Sequence, residues 1–315
     1  MKIVSSILPS SNIQEMIQSK FPSCNFEFYK GMKNVENFCE AEVFITYGED
    51  LTDELINKSE KLKWVMVMSA GLEKMPLEAC RKKGILVTNV RGVHKIPMAE
   101  FTFGLMLQQV KQARILLERE QERRWDRRVP MEELCGKTIL ILGVGAIGGE
   151  IARLAKAFRM YTTGVNRSGN TVNYVDELYK LEEVSKILPK ADFIVSVLPS
   201  TSETTSFLTL EHFRLMKKTA VFINIGRGSL VSTDVLIEAL NQREIAHAYL
   251  DVFEQEPLTE GHPFWTMENV TVTPHISSIT KNYLPRSFEI FEENLHTYIK
   301  KGHQYINQIN LTRGY

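Results

Sequence analysis

Three side chains in the second half of the chain are of the types needed to hold an organic acid and move a proton. Arg227 lies in INIGRG, Glu256 in DVFEQEPL and His275 in TVTPHIS, and each follows an apolar run. A guanidinium can hold two oxygens at once, and imidazole, with an ordinary pKa of about 6.5, exchanges protons at neutral pH. A carboxylate beside an imidazole fixes its tautomer and favours its protonated form. We therefore expect Arg227 to anchor an acid and His275, partnered by Glu256, to exchange a proton with it.

Each of these residues also has a common structural interpretation. Arg227 alone would be a surface arginine, Glu256 a loop acid and His275 a core histidine. All three, however, lie beyond the ends of predicted strands on the same side of one parallel sheet, where open α/β sheets bind their ligands. That joint placement favours the catalytic interpretation.

A strand, a glycine turn and a helix between residues 138 and 167 are the first elements that must position these groups. The run TILIL ends at GVGAIG, which is the GxGxxG pattern of a dinucleotide site. Gly143 permits the tight turn, Gly145 lets the backbone approach a pyrophosphate, and Gly148 lets the helix pack close to the sheet. The pyrophosphate would rest on the helix N-terminus. The predicted cofactor contacts at this turn are Gly143, Gly145, Ala146, Ile147 and Gly148.

The end of the second strand of this unit indicates which dinucleotide binds. An NAD enzyme usually has Asp or Glu there, whereas this chain has Asn166, Arg167 and Ser168. A guanidinium can pair with a 2′-phosphate that a carboxylate would repel, and the two polar neighbours can donate hydrogen bonds. We therefore predict a preference for NADP(H). The alternative is a surface arginine beside a site that also accepts NAD(H).

Apolar runs alternate with helical segments through the whole chain, which is typical of an α/β fold. The first part contains KIVSSIL, FEFYKG, AEVFITYG, LKWVMVMSAG and GILVTNV, and the second contains TILIL, TTGVN, ADFIVSVLP, TAVFINIG, IAHAYLDV and NVTVTPHI. We predict two doubly wound domains. A flavodoxin-like substrate domain covers residues 1–98 and is completed by 282–315, and a six-stranded Rossmann dinucleotide-binding domain covers residues 99–281.

Two segments are expected to connect these domains and to mediate assembly. Residues 97–120 have apolar side chains at helical spacing, which predicts one long helix crossing into the second domain, with Pro97 suited to its start. Residues 121–134 alternate arginines with acids around Trp125. They could be a solvated connector, a nucleic-acid patch or an arm that buries Trp125 against a second copy. Their mixed charge disfavours nucleic acid, so we expect a homodimer.

Composition excludes several classes of protein. The 315 residues are 43% hydrophobic and 24% charged with a formal net charge of zero, so a small-molecule partner is expected rather than nucleic acid or a membrane. The four cysteines lack C-x-x-C spacing, so we predict neither a metal site nor a disulfide framework. The N-terminus has no secretory pattern and no run is long enough to span a membrane. A cytoplasmic enzyme fits these features.

The motifs together resemble the NAD(P)-dependent D-isomer-specific 2-hydroxyacid dehydrogenases, most closely the glyoxylate/hydroxypyruvate reductase branch. GVGAIG, INIGRG, DVFEQEP and TPHIS match the motifs of that family in order, and SAGLEKM and AEFTFGLML match its first domain. The resemblance implies that Arg227 anchors the substrate, that His275 is the acid/base, and that Glu256 is its partner. It implies an oxidoreductase that reduces a small 2-oxo acid to the D-2-hydroxy acid.

The resemblance also implies further contacts. Asp251 would meet the nicotinamide amide, and backbone N–H groups of Ala70 and Gly71 would meet the substrate carboxylate. The cofactor would further be lined by Leu198, Pro199, Ile225, Gly226, Arg227 and His275. The remaining histidines match no motif and are expected on the surface or in the core: His94, His212, His247, His262, His296 and His303.

Two other functions stay open at this point. A dinucleotide-sensing regulator, such as the corepressors of the same family, would keep the Arg-Glu-His set without turning over substrate. An NAD-linked 2-hydroxyacid dehydrogenase of the phosphoglycerate type would run in the oxidative direction. Substrate identity is also open, because Tyr47 could face the substrate or simply pack.

Overall fold

The computed structural model describes residues 1–72, 74–167 and 169–312 of the chain. It divides into two compact units, one formed by Met1–Val93 with Thr280–Tyr315 and the other by His94–Ile279. The domain boundaries expected from sequence, at 98/99 and 281/282, stay a prediction.

Short parallel strands alternate with helices throughout. The strands are β1 (Lys2–Ser5), β2 (Asn25–Phe28), β3 (Val43–Thr46), β4 (Trp64–Val67), β5 (Leu86–Asn89), β6 (Thr138–Leu142), β7 (Tyr161–Val165), β8 (Glu177–Tyr179), β9 (Phe193–Ser196), β10 (Val221–Asn224), β11 (His247–Leu250) and β12 (Val270–Val272). The α-helices are α1 (Ser11–Lys20), α2 (Asp53–Lys58), α3 (Leu77–Lys82), α4 (Lys95–Val110), α5 (Ala113–Gln121), α6 (Ala146–Ala157), α7 (Val184–Ile187), α8 (Leu210–Leu215), α9 (Thr233–Asn241) and α10 (Tyr283–Ile299). The predicted α/β class is confirmed.

The first unit is a five-stranded parallel sheet with the order β2-β1-β3-β4-β5. This is the flavodoxin-like order. Every residue of β3 and β4 is buried, as expected of central strands covered on both faces. The last helix, α10, belongs to this unit, and its Phe291 ring stacks on the Trp64 indole with centroids 5.3 Å apart.

The second unit is a seven-stranded parallel sheet with the order β12-β11-β10-β9-β6-β7-β8. Along β6, Ile139 and Ile141 join the core on one face, and Leu140 and Leu142 join the core on the other. Two buried faces explain why this strand is an unbroken apolar run. The chain order reverses between β6 and β9, so a crevice opens at the carboxyl ends of these strands.

One strand of the second sheet was not expected from the sequence. We predicted six strands in this unit, and the structure adds β8 at the edge beyond β7. Its three residues, Glu177–Tyr179, are only partly buried. An edge strand needs one neighbour and little core, so it carries no apolar run that would reveal it.

The expected single helix over residues 97–120 is wrong. The chain forms α4 and α5 instead, separated at Gln112, whose φ of 53° is left-handed. Pro97 lies in the first turn of α4, where its missing N–H costs no helical hydrogen bond. Helix α4 is held by buried side chains such as Phe103 and Met106, whereas α5 has no buried residue. After it, Trp125 is 94% exposed.

One partly buried histidine makes the stability of the second unit depend on pH. His247 in β11 contacts the Thr271 hydroxyl oxygen at 2.9 Å through Nε2, and burial, helped by the charge of Arg114, lowers its pKa to about 4. Since the unfolded pKa is about 6.5, the unfolded chain binds the extra proton below that pH and unfolding becomes easier as pH falls from about 6.5 towards 4.

We expect acidification from pH 7.5 to 5 to lower the free energy of unfolding by about 2 kcal/mol through the protonation of His247 in the unfolded chain. His247→Gln keeps a partner for Thr271 but does not titrate, so its thermal unfolding midpoint should fall less than that of the parent over the same range. Parallel pH profiles of the two proteins would contradict this assignment.

Candidate active site

The Glu256 carboxylate and the His275 imidazole form a hydrogen-bonded pair. Glu256 Oε2 lies 2.8 Å from His275 Nδ1, and Glu256 Oε1 accepts from the Phe253 backbone N–H at 3.0 Å. With both carboxylate oxygens engaged, Glu256 is oriented toward the ring, and Nδ1 of the ring is the nitrogen that bears hydrogen towards it. Nε2 has no partner among the residues described, and the His275 side chain is 46% exposed. The pair can therefore offer a proton at Nε2.

A buried carboxylate holds the turn that carries His275. Asp251, 1% exposed just after β11, accepts from the Thr273 hydroxyl at 2.6 Å, from Ile276 N at 2.9 Å and from Ser277 N at 3.0 Å. These bonds brace a turn in which His275 adopts φ of 54°, an uncommon value for a residue other than glycine. Asp251 had been expected only at the nicotinamide amide, and Thr273 was not expected at all. Both follow short apolar runs, which is the one signal that marks them.

A buried amide holds the turn that carries Arg227 in the same way. Asn224, the last residue of β10, accepts from Gly226 N at 3.2 Å and donates to Arg227 O at 3.0 Å. An added Cβ at Gly228 would lie 1.9 Å from the Phe253 carbonyl carbon, so this turn packs directly on the loop that leads to Glu256. The Arg227 side chain is exposed, with Nη1 donating to Gly226 O at 2.8 Å.

Three adjacent strands thus place the three predicted residues. β10, β11 and β12 are neighbours in the sheet, and the turns after their carboxyl ends carry Arg227, Glu256 and His275 in that order. A cavity of about 430 Å³ adjoins the Glu256–His275 pair, and apolar side chains including Phe253, Leu258 and Trp265 line it.

The glycine turn has the geometry of a pyrophosphate cradle. Gly143 has φ of 105°, and a Cβ at Gly148 would lie 2.2 Å from Gly143 O. Gly145 caps the N-terminus of α6, and a Cβ there would meet no atom within 4 Å, so open space adjoins the end of the helix that favours an anion. Ala146 is exposed and Ile147 partly so. These residues fit a dinucleotide.

Leu198 links the glycine turn to the substrate side of the sheet. Its backbone N lies 3.3 Å from the position of a Cβ on Gly143, and its backbone O lies 2.9 Å from that of a Cβ on Gly226. Pro199 follows it on the surface, and Ile225 is buried. The predicted cofactor-lining segments therefore meet at the carboxyl edge where the strand order reverses.

The loop after β7 shapes the other end of the predicted cofactor site. Asn166 Oδ1 accepts from Gly169 N at 2.7 Å and Nδ2 donates to Asn170 O at 3.1 Å, so its amide closes the loop. Arg167 is exposed between them. Ser168, also predicted to contact the cofactor, lies outside the described residues.

Comparison with known proteins identifies the family. The profile for "D-isomer specific 2-hydroxyacid dehydrogenase, NAD binding domain" matches residues 103–277. The chain belongs to this family. It is 35% identical over 268 residues to a glyoxylate reductase of Aeropyrum pernix, covering 81% of this chain and 79% of that one. It is 33% identical to a D-3-phosphoglycerate dehydrogenase of Methanocaldococcus jannaschii, covering 88% of this chain but only 53% of that one.

Solved structures of D-isomer specific 2-hydroxyacid dehydrogenases share the fold over nearly the whole chain. One from Aeromonas salmonicida has a TM-score of 0.84 at 31% identity and covers 98% of this chain and 99% of its own. Another, from Xanthobacter autotrophicus and bound to NADPH and MES, has a TM-score of 0.78 at 25% identity and covers 100% and 99%. The predicted family and oxidoreductase class are confirmed.

In this 2-hydroxyacid dehydrogenase the other histidines have varied surroundings. His212 ring nitrogen Nδ1 caps α8 beside Thr209, and His262 Nδ1 accepts from Phe264 N.

Within the described ranges, no group of three or more His, Cys, Asp or Glu side chains could hold a metal ion. No helix in those ranges has the length and apolar character needed to cross a membrane.

Proposed function

We propose that this dehydrogenase reduces a small 2-oxo acid, of the glyoxylate or hydroxypyruvate kind, to the D-2-hydroxy acid with NADPH. The observation that carries the proposal is the Glu256–His275 pair, 2.8 Å apart, on the sheet edge that also carries Arg227 and the glycine turn. Membership of the family supports the general reaction. The choice of substrate and cofactor is the proposal.

Each residue has a defined task in the proposed reaction. Arg227 holds the substrate carboxylate and carbonyl oxygens with its guanidinium fork. NADPH, when bound at the glycine turn, supplies the hydride that C2 receives. His275 donates its Nε2 proton to the carbonyl oxygen as that oxygen becomes a hydroxyl, and Glu256 stabilises the imidazolium beforehand. The Ala70–Gly71 backbone is assigned to the carboxylate by family resemblance.

Arg167 supports NADPH as the cofactor, because an exposed guanidinium stands where NAD enzymes carry an acid. The NADPH-bound Xanthobacter relative adds a precedent in the family. We expect NADPH to exceed NADH in kcat/KM, and Arg167→Ala to lower the NADPH value about 10- to 100-fold, as loss of a charged hydrogen bond would, while leaving NADH nearly unchanged.

The test is oxidation of NADPH and NADH with glyoxylate, hydroxypyruvate and bulkier 2-oxo acids. Arg214→Ala is a matched control, since that exposed arginine pairs with Glu211 and with no other acid in the described part of the chain. If the rates with NADH equal or exceed those with NADPH, the proposal that NADPH is the cofactor is wrong. Tight dinucleotide binding without turnover of any acid would favour the regulatory function instead.

A second candidate is the oxidation of D-3-phosphoglycerate with NAD⁺, which the Methanocaldococcus relative favours. The same panel separates it, because it predicts turnover of D-3-phosphoglycerate with NAD⁺ and little reduction of glyoxylate. Assembly as a homodimer and a cytoplasmic location stay predictions.

A further inference from the structure

The loop after β4 presents three consecutive backbone N–H groups for which the described residues offer no acceptor. Met68 N still donates to Thr46 O at 2.7 Å, but Ser69 N, Ala70 N and Gly71 N donate to no atom in the described parts of the chain. The loop lies at the carboxyl end of a central strand of the first unit. Successive backbone N–H groups in a turn can form an anion-binding concavity when they point to the same side, so their orientation matters.

Two side chains hold the carbonyl groups of this same loop. The Tyr283 hydroxyl, from the first turn of α10, donates to Met68 O at 2.5 Å, and Asn89 Nδ2, from the end of β5, donates to Ala70 O at 3.0 Å. In a trans peptide, the C=O of one residue and the N–H of the next point in opposite directions. Fixing the carbonyls of Met68 and Ala70 therefore turns the N–H groups of Ser69 and Gly71 to the opposite side.

We propose that Tyr283 and Asn89 are positioning residues that aim the N–H groups of Ser69 and Gly71 at the substrate carboxylate. The inference rests on the proposed function and deepens it, because it names the groups that shape the carboxylate site and adds Ser69 to the donors. Neither side chain touches the reacting atoms. Each acts by fixing a peptide plane.

The surroundings of Asn89 and Tyr283 keep both side chains able to donate these hydrogen bonds. Asn89 is 3% exposed, its Oδ1 accepts from Arg91 N at 3.1 Å, and its backbone O accepts from the Asn307 side chain at 3.2 Å. Burial, with Tyr47 nearby, raises the pKa of Tyr283 to about 12, so its hydroxyl keeps the proton that it donates at neutral pH.

The test is Tyr283→Phe, which removes only the hydroxyl. We expect KM for the 2-oxo acid and the inhibition constant of oxamate to rise about 3- to 10-fold, as loss of one neutral hydrogen bond would cause. The value of kcat should stay within about twofold of the parent, because the proton-transfer groups are untouched. NADPH affinity should be unchanged.

The matched control is Tyr298→Phe. Tyr298 lies on the same helix, α10, and its hydroxyl donates to Glu42 Oε1 at 3.1 Å, away from the loop. If Tyr298→Phe raises KM as much as Tyr283→Phe, the effect is general loss of structure and the inference fails. It also fails if Tyr283→Phe leaves both KM and the oxamate constant unchanged while the parent enzyme is active, and in that case the proposed function stands.

A binding measurement tests the loop without relying on turnover. In ¹⁵N-labelled full-length protein, oxamate should shift the amide resonances of Ser69 and Gly71, and Tyr283→Phe should weaken that titration severalfold. Absence of any shift at these amides would overturn the inference even for an active enzyme. A shift in a protein that reduces no 2-oxo acid would support the anion site and reject the proposed function.

Discussion

His275→Ala is expected to lower kcat by about 100- to 10,000-fold, the range that a positioned general acid supplies. The variant loses the Nε2 proton donor, while the glycine turn and the loop of Asn166 and Arg167 lie on other strands. The NADPH dissociation constant, measured by fluorescence titration, should therefore stay within about twofold. Single-turnover kinetics with saturating NADPH would show the loss in the chemical step itself.

Two companion variants sharpen this result. Glu256→Gln keeps a hydrogen bond to Nδ1 but no charge, so it should lose less activity than His275→Ala. His303→Ala, on an exposed histidine of the first unit, is the control. Parent-like turnover by His275→Ala would reject the assigned proton donor.

Arg227→Lys is expected to lower kcat/KM for the 2-oxo acid by about 100-fold or more, because a lysine keeps the charge but loses the fork that holds two oxygens. Arg227→Ala should lose more. Steady-state kinetics over a wide substrate range would separate the rise in KM from the fall in kcat. Added guanidinium should restore part of the activity of Arg227→Ala and none of that of His275→Ala.

A loss of activity in the Arg227 variants is not expected to come from a change in the structure of the turn. Asn224 bonds the backbone of the Arg227 turn, so the turn does not depend on the arginine side chain. Thermal unfolding of Arg227→Lys should accordingly match the parent. A large loss of stability, or kinetics indistinguishable from the parent, would contradict the role of Arg227 as substrate anchor.

Most of the fold could be predicted because a parallel strand that is buried on both faces appears in the sequence as an unbroken apolar run. Each strand with two covered faces, such as β4 and β6, was visible in this way. The edge strand β8 was not, because it buries little. The break at Gln112 was also missed, since the apolar spacing continues from α4 into α5 although only α4 packs on a core.

From the sequence alone we could predict the glycine turn, the α/β class and the placement of Arg227, Glu256 and His275 at one edge of the sheet. These depend on short local patterns: glycines at fixed spacing, and a reactive residue directly after an apolar run. Such patterns can be recognised in a sequence because backbone conformation and strand burial are set by a few neighbouring residues.

The groups that hold those residues in place could be identified only from the folded structure. Asp251 contacts residues 22 to 26 positions away, and Tyr283 contacts Met68 at a separation of 215. A buried carboxylate or a helix-end tyrosine has no distinguishing local pattern. The hydrogen-bond partner of such a residue depends on strand order and on where the helix packs. A hydrogen bond requires two atoms to be close in space, and the sequence separation of two residues does not reveal that distance.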